Sequence, residues 1–238
     1  MTDKLRLCYI SILGAPGRYD PARYDGEHGG DDELVWIADL LARMGLDEKV
    51  ELSGVHGALG EPLPEPDAAD VFMLGGSYHS VHDGLPWQDA VYDWLTRMRQ
   101  SKRPLLGICG GHQMMATVLG GTVGMVDGGP LCASLPLALS EAGKAHGLFT
   151  GFDGAPVFHF ANEEHVTKPP PGARLLATGD RMPYCALDYG GGWLSVQFHP
   201  EVTARCIALA WKGSHHEQKI DYKPLPDAPG LLVNFVFA

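Results

Sequence analysis

Cys109 stands where a thiol can be made reactive. The apolar, strand-like segment PLLGI (104–108) runs directly into it, and Gly110-Gly111-His112-Gln113 opens a helix-forming run on its other side. A helix start presents unpaired backbone N–H groups and a partial positive charge, so a sulfur held there is favoured as thiolate. The same N–H groups can hold the negative oxygen that forms when a nucleophile adds to a carbonyl. Gly107, Gly110 and Gly111 permit a tight strand-to-helix turn and close approach of backbone to a ligand. This is the logic of a nucleophile elbow with sulfur as the attacking atom. The competing reading is a buried cysteine that only packs; it suits most cysteines, but the strand–Cys–Gly–Gly–helix context favours the reactive one.

Such a thiol needs a base to take its proton and an acid to return one to a leaving group. His199 ends the β-rich run LSVQF (194–198); Pro200 stops the strand, and Glu201 can accept a hydrogen bond from the far ring nitrogen and set the tautomer. The chain has eleven histidines, so residue type alone selects none of them. His112 is nearer to Cys109 in sequence, but on a helix beginning at Gly110 its side chain is expected to point away from the sulfur and to serve the structure.

These groups need a scaffold. Residues 5–13 (LRLCYISIL) read as a buried strand ending at Gly14-Ala15-Pro16-Gly17. Residues 18–30 read as a loop, 31–44 as a helix stopped by Gly45, and 50–52 as a short strand. DVFML (70–74) is a strand running into Gly75-Gly76-Ser77, PWQDAVYDWLTRMR (86–99) an amphipathic helix starting on proline, and 111–119 a helix closed by Gly120-Gly121. From 122 to 198 the pattern is broken and strand-like; 202–211 is helical again, and the apolar end of the tail is expected to pack on the body. Strands and helices in alternation predict an α/β fold, a mostly parallel central sheet with helices on both faces. No composition shift marks a boundary, so residues 1–238 are expected to form one domain.

Gly107-Ile108-Cys109-Gly110-Gly111-His112-Gln113 resembles the G-x-C-x-G-x-Q signature of class I glutamine amidotransferases, and His199-Pro200-Glu201 resembles that family's H-P-E signature, in the same order and at a similar separation. The likeness extends to Gly75-Gly76-Ser77 and the following residues, to Gly60-Glu61 with Leu63-Pro64, and to the helix after Cys109. It implies a flavodoxin-like fold and a catalytic triad of Cys109, His199 and Glu201. It also implies an oxyanion hole from the backbone N–H groups of Gly76 and Gly110, and glutamyl binding by Gly75 and Gln113. Without that context the two glycines would read as an ordinary strand-end turn, and Gln113 as a buried helix-capping residue.

The match has departures. The residue after the nucleophile is usually bulky in the family; Gly110 is expected to leave room for a leaving group larger than ammonia. Asn162-Glu163-Glu164-His165-Val166 and Asp127-Gly128-Gly129-Pro130-Leu131-Cys132 stand where the family often carries H-S-D-like and G-x-E-x-G-like segments. Recognition of the glutamyl α-amino and α-carboxylate groups is the part these changes touch. The polar segment Tyr19 to His28 is a solvated loop by default, with a lid or partner surface as the alternative. His215-His216-Glu217 lacks further spaced ligands and reads as solvated surface, so neither a metal nor a cofactor is expected.

Composition narrows the partners. A formal net charge of −11 with no basic tract argues against nucleic acid. Five cysteines at irregular spacing do not form a disulfide framework, and the N-terminal apolar run is too short for a signal or a membrane span, so a reducing cytoplasm is expected. Three functions stay open. One is a stand-alone hydrolase of γ-glutamyl amides or peptides, towards which the small Gly110 leans. The second is a glutaminase subunit delivering ammonia to a separate synthetase, since the chain holds no GxxxxGK[ST] segment of its own. The third is a binding module, against which an intact triad speaks.

Overall fold

The computed structural model describes residues 4–238. In chain order the elements are β1 (Leu5–Ser11), α1 (Glu33–Arg43), β2 (Val50–His56), β3 (Val71–Leu74), α2 (Pro86–Ser101), β4 (Leu105–Ile108), α3 (Gly110–Val118), β5 (Thr122–Met125), β6 (Leu131–Pro136), β7 (Ala138–Leu139), α4 (Glu141–Lys144), β8 (Val157–Asn162), β9 (Glu164–Lys168), β10 (Arg174–Thr178), β11 (Ala186–Asp188), β12 (Trp193–Val196), α5 (Ala204–Leu209) and α6 (Gly230–Val236). An eight-stranded sheet runs β2-β1-β3-β4-β12-β11-β10-β7. Its first five strands pair in parallel and the last three antiparallel.

Side-chain alternation along β1 divides the interior into two layers. Leu7 and Tyr9 pack with Ile37, Leu40 and Leu41 of α1 and with Leu231 and Phe235 of α6. Cys8 and Ile10 face the other way, onto Val91, Trp94 and Leu95 of α2 and Met114 and Met115 of α3. Both faces of the sheet are therefore covered by helices, and this burial of both faces is why β3 and β4 read as unbroken apolar runs.

Several boundaries differ from the sequence expectation, each for a local reason. β2 extends to His56 because it pairs with β1 residue for residue from Leu5↔Val50 to Ser11↔His56, across Gly54. Helix α5 is shorter than 202–211 because Thr203 caps it, its side chain accepting from Cys206 N–H. β12 stops at Val196: Gln197 N–H turns to Cys185 O (2.8 Å) and His199 N–H to His159 O (2.8 Å). The broken stretch from 122 onward resolves into two small antiparallel pairs, β5–β9 and β6–β8, besides the strands that extend the main sheet. The tail folds back as α6, with Leu231, Leu232, Phe235 and Val236 buried. Among the described residues no helix is long and apolar enough to cross a membrane.

Candidate active site

In the parallel part of the sheet the carboxyl ends of β1, β3, β4 and β12 open on the same edge, the usual place for a ligand in such a fold. β4 and β12 are neighbours, with Ile108 paired to Val196. The residues just beyond them, Cys109 and the 197–201 segment, therefore emerge side by side although they lie far apart in the chain.

Cys109 occupies a conformation that only glycine adopts freely, φ 50° and ψ −102°. Its N–H is tied to Val196 O (2.8 Å), and its carbonyl accepts from Gln113 N–H (3.1 Å), so strand and helix together impose the turn. The flanking glycines are required by close approach. A Cβ on Gly111 would collide with Leu74 O, and one on Gly110 would lie 2.8 Å from both Cβ and N of Ser77. This corrects one expectation: the space beside Gly110 is filled by Ser77 and is not room for a leaving group.

His199 and Cys109 converge on one point. A Cβ built on Gly76 would sit 3.0 Å from His199 Cε1 and 3.6 Å from Cys109 Cβ. The other side of the ring is held by Glu201, whose Oε1 is 2.6 Å from His199 Nδ1. Burial disfavours the imidazolium, but Glu201 and then Cys109 outweigh it and hold the His199 pKa well above the ordinary histidine value. Glu201 is itself buried, and its Oε2 has no hydrogen-bond partner among the described residues.

Among the described residues no backbone carbonyl is bonded by the N–H of Gly76 or of Gly110; the latter is the first residue of α3 and has no intrahelical acceptor. Gly75 behaves differently. Its N–H donates to Ile10 O (3.0 Å) and its carbonyl accepts from Gly111 N–H (2.9 Å). It is not among the residues lining the cavity, and these two bonds tie Gly75 to β1 and to the start of α3. Gln113 does line the cavity, with its amide nitrogen donating to Glu164 O (2.8 Å) and Gln197 Oε1 (3.3 Å).

His112 points away from the sulfur, into the fold. It is fully buried, its Nδ1 is 2.6 Å from Ser195 Oγ, and burial pushes its pKa down to about 3. His79 is tied to Asp83 and Ala15 N–H, and His82 reaches Val123 O. No group of three or more His, Cys, Asp or Glu among the described residues is arranged to hold a metal.

The cavity at this edge has a volume of about 320 Å³, within the range of small-molecule sites. Asn162, from the end of β8, donates its amide Nδ2 to Cys109 Sγ (3.4 Å) and to Gln197 O (3.3 Å). Its role was invisible in sequence, where Asn162 only marked a departure from a motif; the contact exists because β8 lies next to the 197–199 segment. Part of the wall is aromatic, shared between the segment expected as a solvated loop (Tyr19, Tyr24), α1 (Trp36) and the turn after β3 (Tyr78). Tyr19 stacks on Tyr78 at 4.5 Å, Tyr24 Oη meets Tyr78 Oη at 2.6 Å, and Trp36 packs on Tyr24 at 5.1 Å. A thiol at a helix start, an imidazole backed by a carboxylate, and the N–H groups of Gly76 and Gly110 that bond no carbonyl among the described residues are groups that can together add to an acyl carbon and expel an amine.

The class-I glutamine amidotransferase family model matches residues 49–207. A glutamine-hydrolysing GMP synthase of Aeropyrum pernix is 32% identical over 166 residues, covering 70% of this chain and 30% of that protein. One of Agrobacterium fabrum is 36% identical over 178 residues, covering 70% of this chain and 31% of its own. The chain thus spans about a third of the length of the curated relatives it matches. Among solved structures, a glutamine amidotransferase of Thermotoga maritima superposes with a TM-score of 0.74 at 20% identity, covering 99% of this chain and 97% of that one. A glutamine amidotransferase of Methylobacillus flagellatus gives 0.67 at 16%, covering 98% and 90%; at these identities both likenesses speak to the fold. With the family model matched over about two thirds of its residues, the chain belongs to the class-I glutamine amidotransferase family.

Proposed function

We propose that this chain is a cysteine-dependent amidase acting on the γ-carboxamide of glutamine or of a γ-glutamyl amide. The observation that carries the reading is the convergence of Cys109 and His199 on one point of a single cavity, with Glu201 behind the ring. Cys109 thiolate attacks the γ-carbon, and its S–C bond forms as the carbonyl π pair moves to oxygen. The N–H groups of Gly76 and Gly110 hold that oxyanion. His199, charged in the resting site, gives its proton to the departing nitrogen as the C–N bond breaks, leaving a γ-glutamyl thioester. The neutral ring then takes a proton from water, whose oxygen displaces the sulfur and releases glutamate.

The amine is the open variable. The aromatic wall of Tyr19, Tyr24, Trp36 and Tyr78 adds apolar surface that ammonia would not use, which favours an amine larger than ammonia and a stand-alone γ-glutamyl amide hydrolase. The relatives favour a second reading, a glutaminase that passes ammonia to a separate synthetase, because their names describe glutamine-hydrolysing synthases that extend well beyond the matched region. Glutamate release from glutamine and from a panel of γ-glutamyl amides separates the two. Turnover of conjugates well above glutamine supports the hydrolase; glutamine turnover that rises on adding a co-purifying synthetase supports the glutaminase. No release from any substrate, or release unchanged in Cys109→Ala, refutes both.

A further inference from the structure

A second buried carboxylate lies in the site, and the chemistry above does not use it. Glu33, the first residue of α1, is 4% exposed and lines the same cavity as Cys109 and His199. Both its oxygens are held from β1: Oε1 accepts from Tyr9 Oη (2.9 Å) and Oε2 from Ser11 Oγ (2.7 Å). The glycine loop runs between it and the triad. A Cβ on Gly75 would lie 3.1 Å from Glu33 Oε1, while one on Gly76 would touch His199. A helix-start glutamate belongs in water unless something inside repays its burial.

We propose that Glu33 is a positioning residue whose negative charge holds His199 as imidazolium and thereby keeps Cys109 as thiolate. It rests on the assignment of Cys109 as nucleophile and His199 as its acid. Of the four carboxylates lining this pocket, Glu33 and Glu201 are the buried ones, and His199 is the positive charge that Glu33 feels most. The groups facing Glu33 are Tyr9 and Ser11 from β1, Tyr19 from the loop before α1, His199 and Glu201 after β12, and Cys206 from α5. Burial raises the Glu33 pKa to about 7; the hydrogen bonds from Ser11 and Tyr9 pull it down, Glu201 pushes it up, and charged His199 pulls it down. Coupling is reciprocal, so ionised Glu33 stabilises charged His199 by the same amount. Glu33 therefore gains its charge on passing neutral pH, and the thiolate–imidazolium pair gains with it.

The test is the alkylation rate of Cys109 by iodoacetamide from about pH 5.5 to 9, read at the Cys109 peptide by mass spectrometry, in wild type, Glu33→Gln and Tyr9→Phe. Wild type is expected to show a rise centred near neutrality. In Glu33→Gln that rise disappears, and the rate at about pH 8 falls by about tenfold, the equivalent of one pKa unit. Tyr9→Phe removes one donor from the Glu33 carboxylate, so the rise survives but moves to higher pH. A Glu33→Gln profile superimposable on wild type overturns the proposal, as does an unmoved rise in Tyr9→Phe, which decides the matter if Glu33→Gln does not fold. A wild-type Cys109 that alkylates no faster than an ordinary thiol overturns the nucleophile assignment itself, a result distinct from the other two.

Discussion

Replacing Cys109 by glycine should give a more stable protein than replacing it by alanine. Both changes remove the sulfur and its contact with Asn162, so the comparison isolates the backbone. At φ 50° and ψ −102° an L-residue is strained, by about 1–3 kcal/mol. Glycine has no Cβ to strain, but it is freer in the unfolded chain, which favours alanine by about 0.4–1 kcal/mol. The balance centres on the glycine variant ahead by about 1.3 kcal/mol, within a span of about 0–2.6 kcal/mol. For a chain of this size the central value is a melting temperature higher by about 3–5 °C. Thermal melts and urea midpoints of the two inactive proteins measure it directly. The turn cannot relax cheaply, because Val196 O, Gln113 N–H and the packing of Gly110 and Gly111 hold it on every side. An alanine variant that melts with or above the glycine variant would mean that Cys109 does not sit in a strained elbow.

Three further outcomes follow from the same geometry. Glu201→Gln should cut kcat/KM by about a hundredfold or more and lower the pH at which His199 loses its proton, because the ring loses its principal compensating charge; a pH–rate profile reports both. Asn162→Ala removes the Nδ2 donor to Cys109 Sγ, and loss of a hydrogen bond to a charged group should slow Cys109 alkylation by about 10–100-fold at constant pH. His112, neutral in the fold with its pKa pushed down to about 3, stabilises the protein above the unfolded value of 6.5, and that contribution is lost as pH falls below it. The stability gap between wild type and His112→Gln should therefore narrow or reverse by up to about 1.4 kcal/mol per pH unit between about pH 6.5 and 3, measured by urea denaturation at several pH values.

Part of this protein was legible in its residues alone. The alternation of apolar runs with amphipathic segments foretold a parallel sheet covered on both faces, since each signal is local and set by the period of the element. Cys109 was marked by its neighbours, a strand before and Gly110-Gly111 after. His199 with Glu201 was marked by a short motif that carries its own hydrogen bond. Other features needed the tertiary structure. The adjacency of β4 and β12 is a choice of strand order, and nothing within either strand encodes it. That choice brings His199 to Cys109 and lets β8 carry Asn162 to the sulfur. Gly75 is held by Ile10 and Gly111, and Ser77 fills the space beside Gly110. Nothing in the local sequence around Glu33 marks it as buried; it is buried because α1 begins against Tyr9 and Ser11 of β1. Sequence determines which groups can react and which elements bear them, because those interactions span a few residues. Which groups meet is decided by the packing of strands far apart in the chain, and that is a property of the whole sheet.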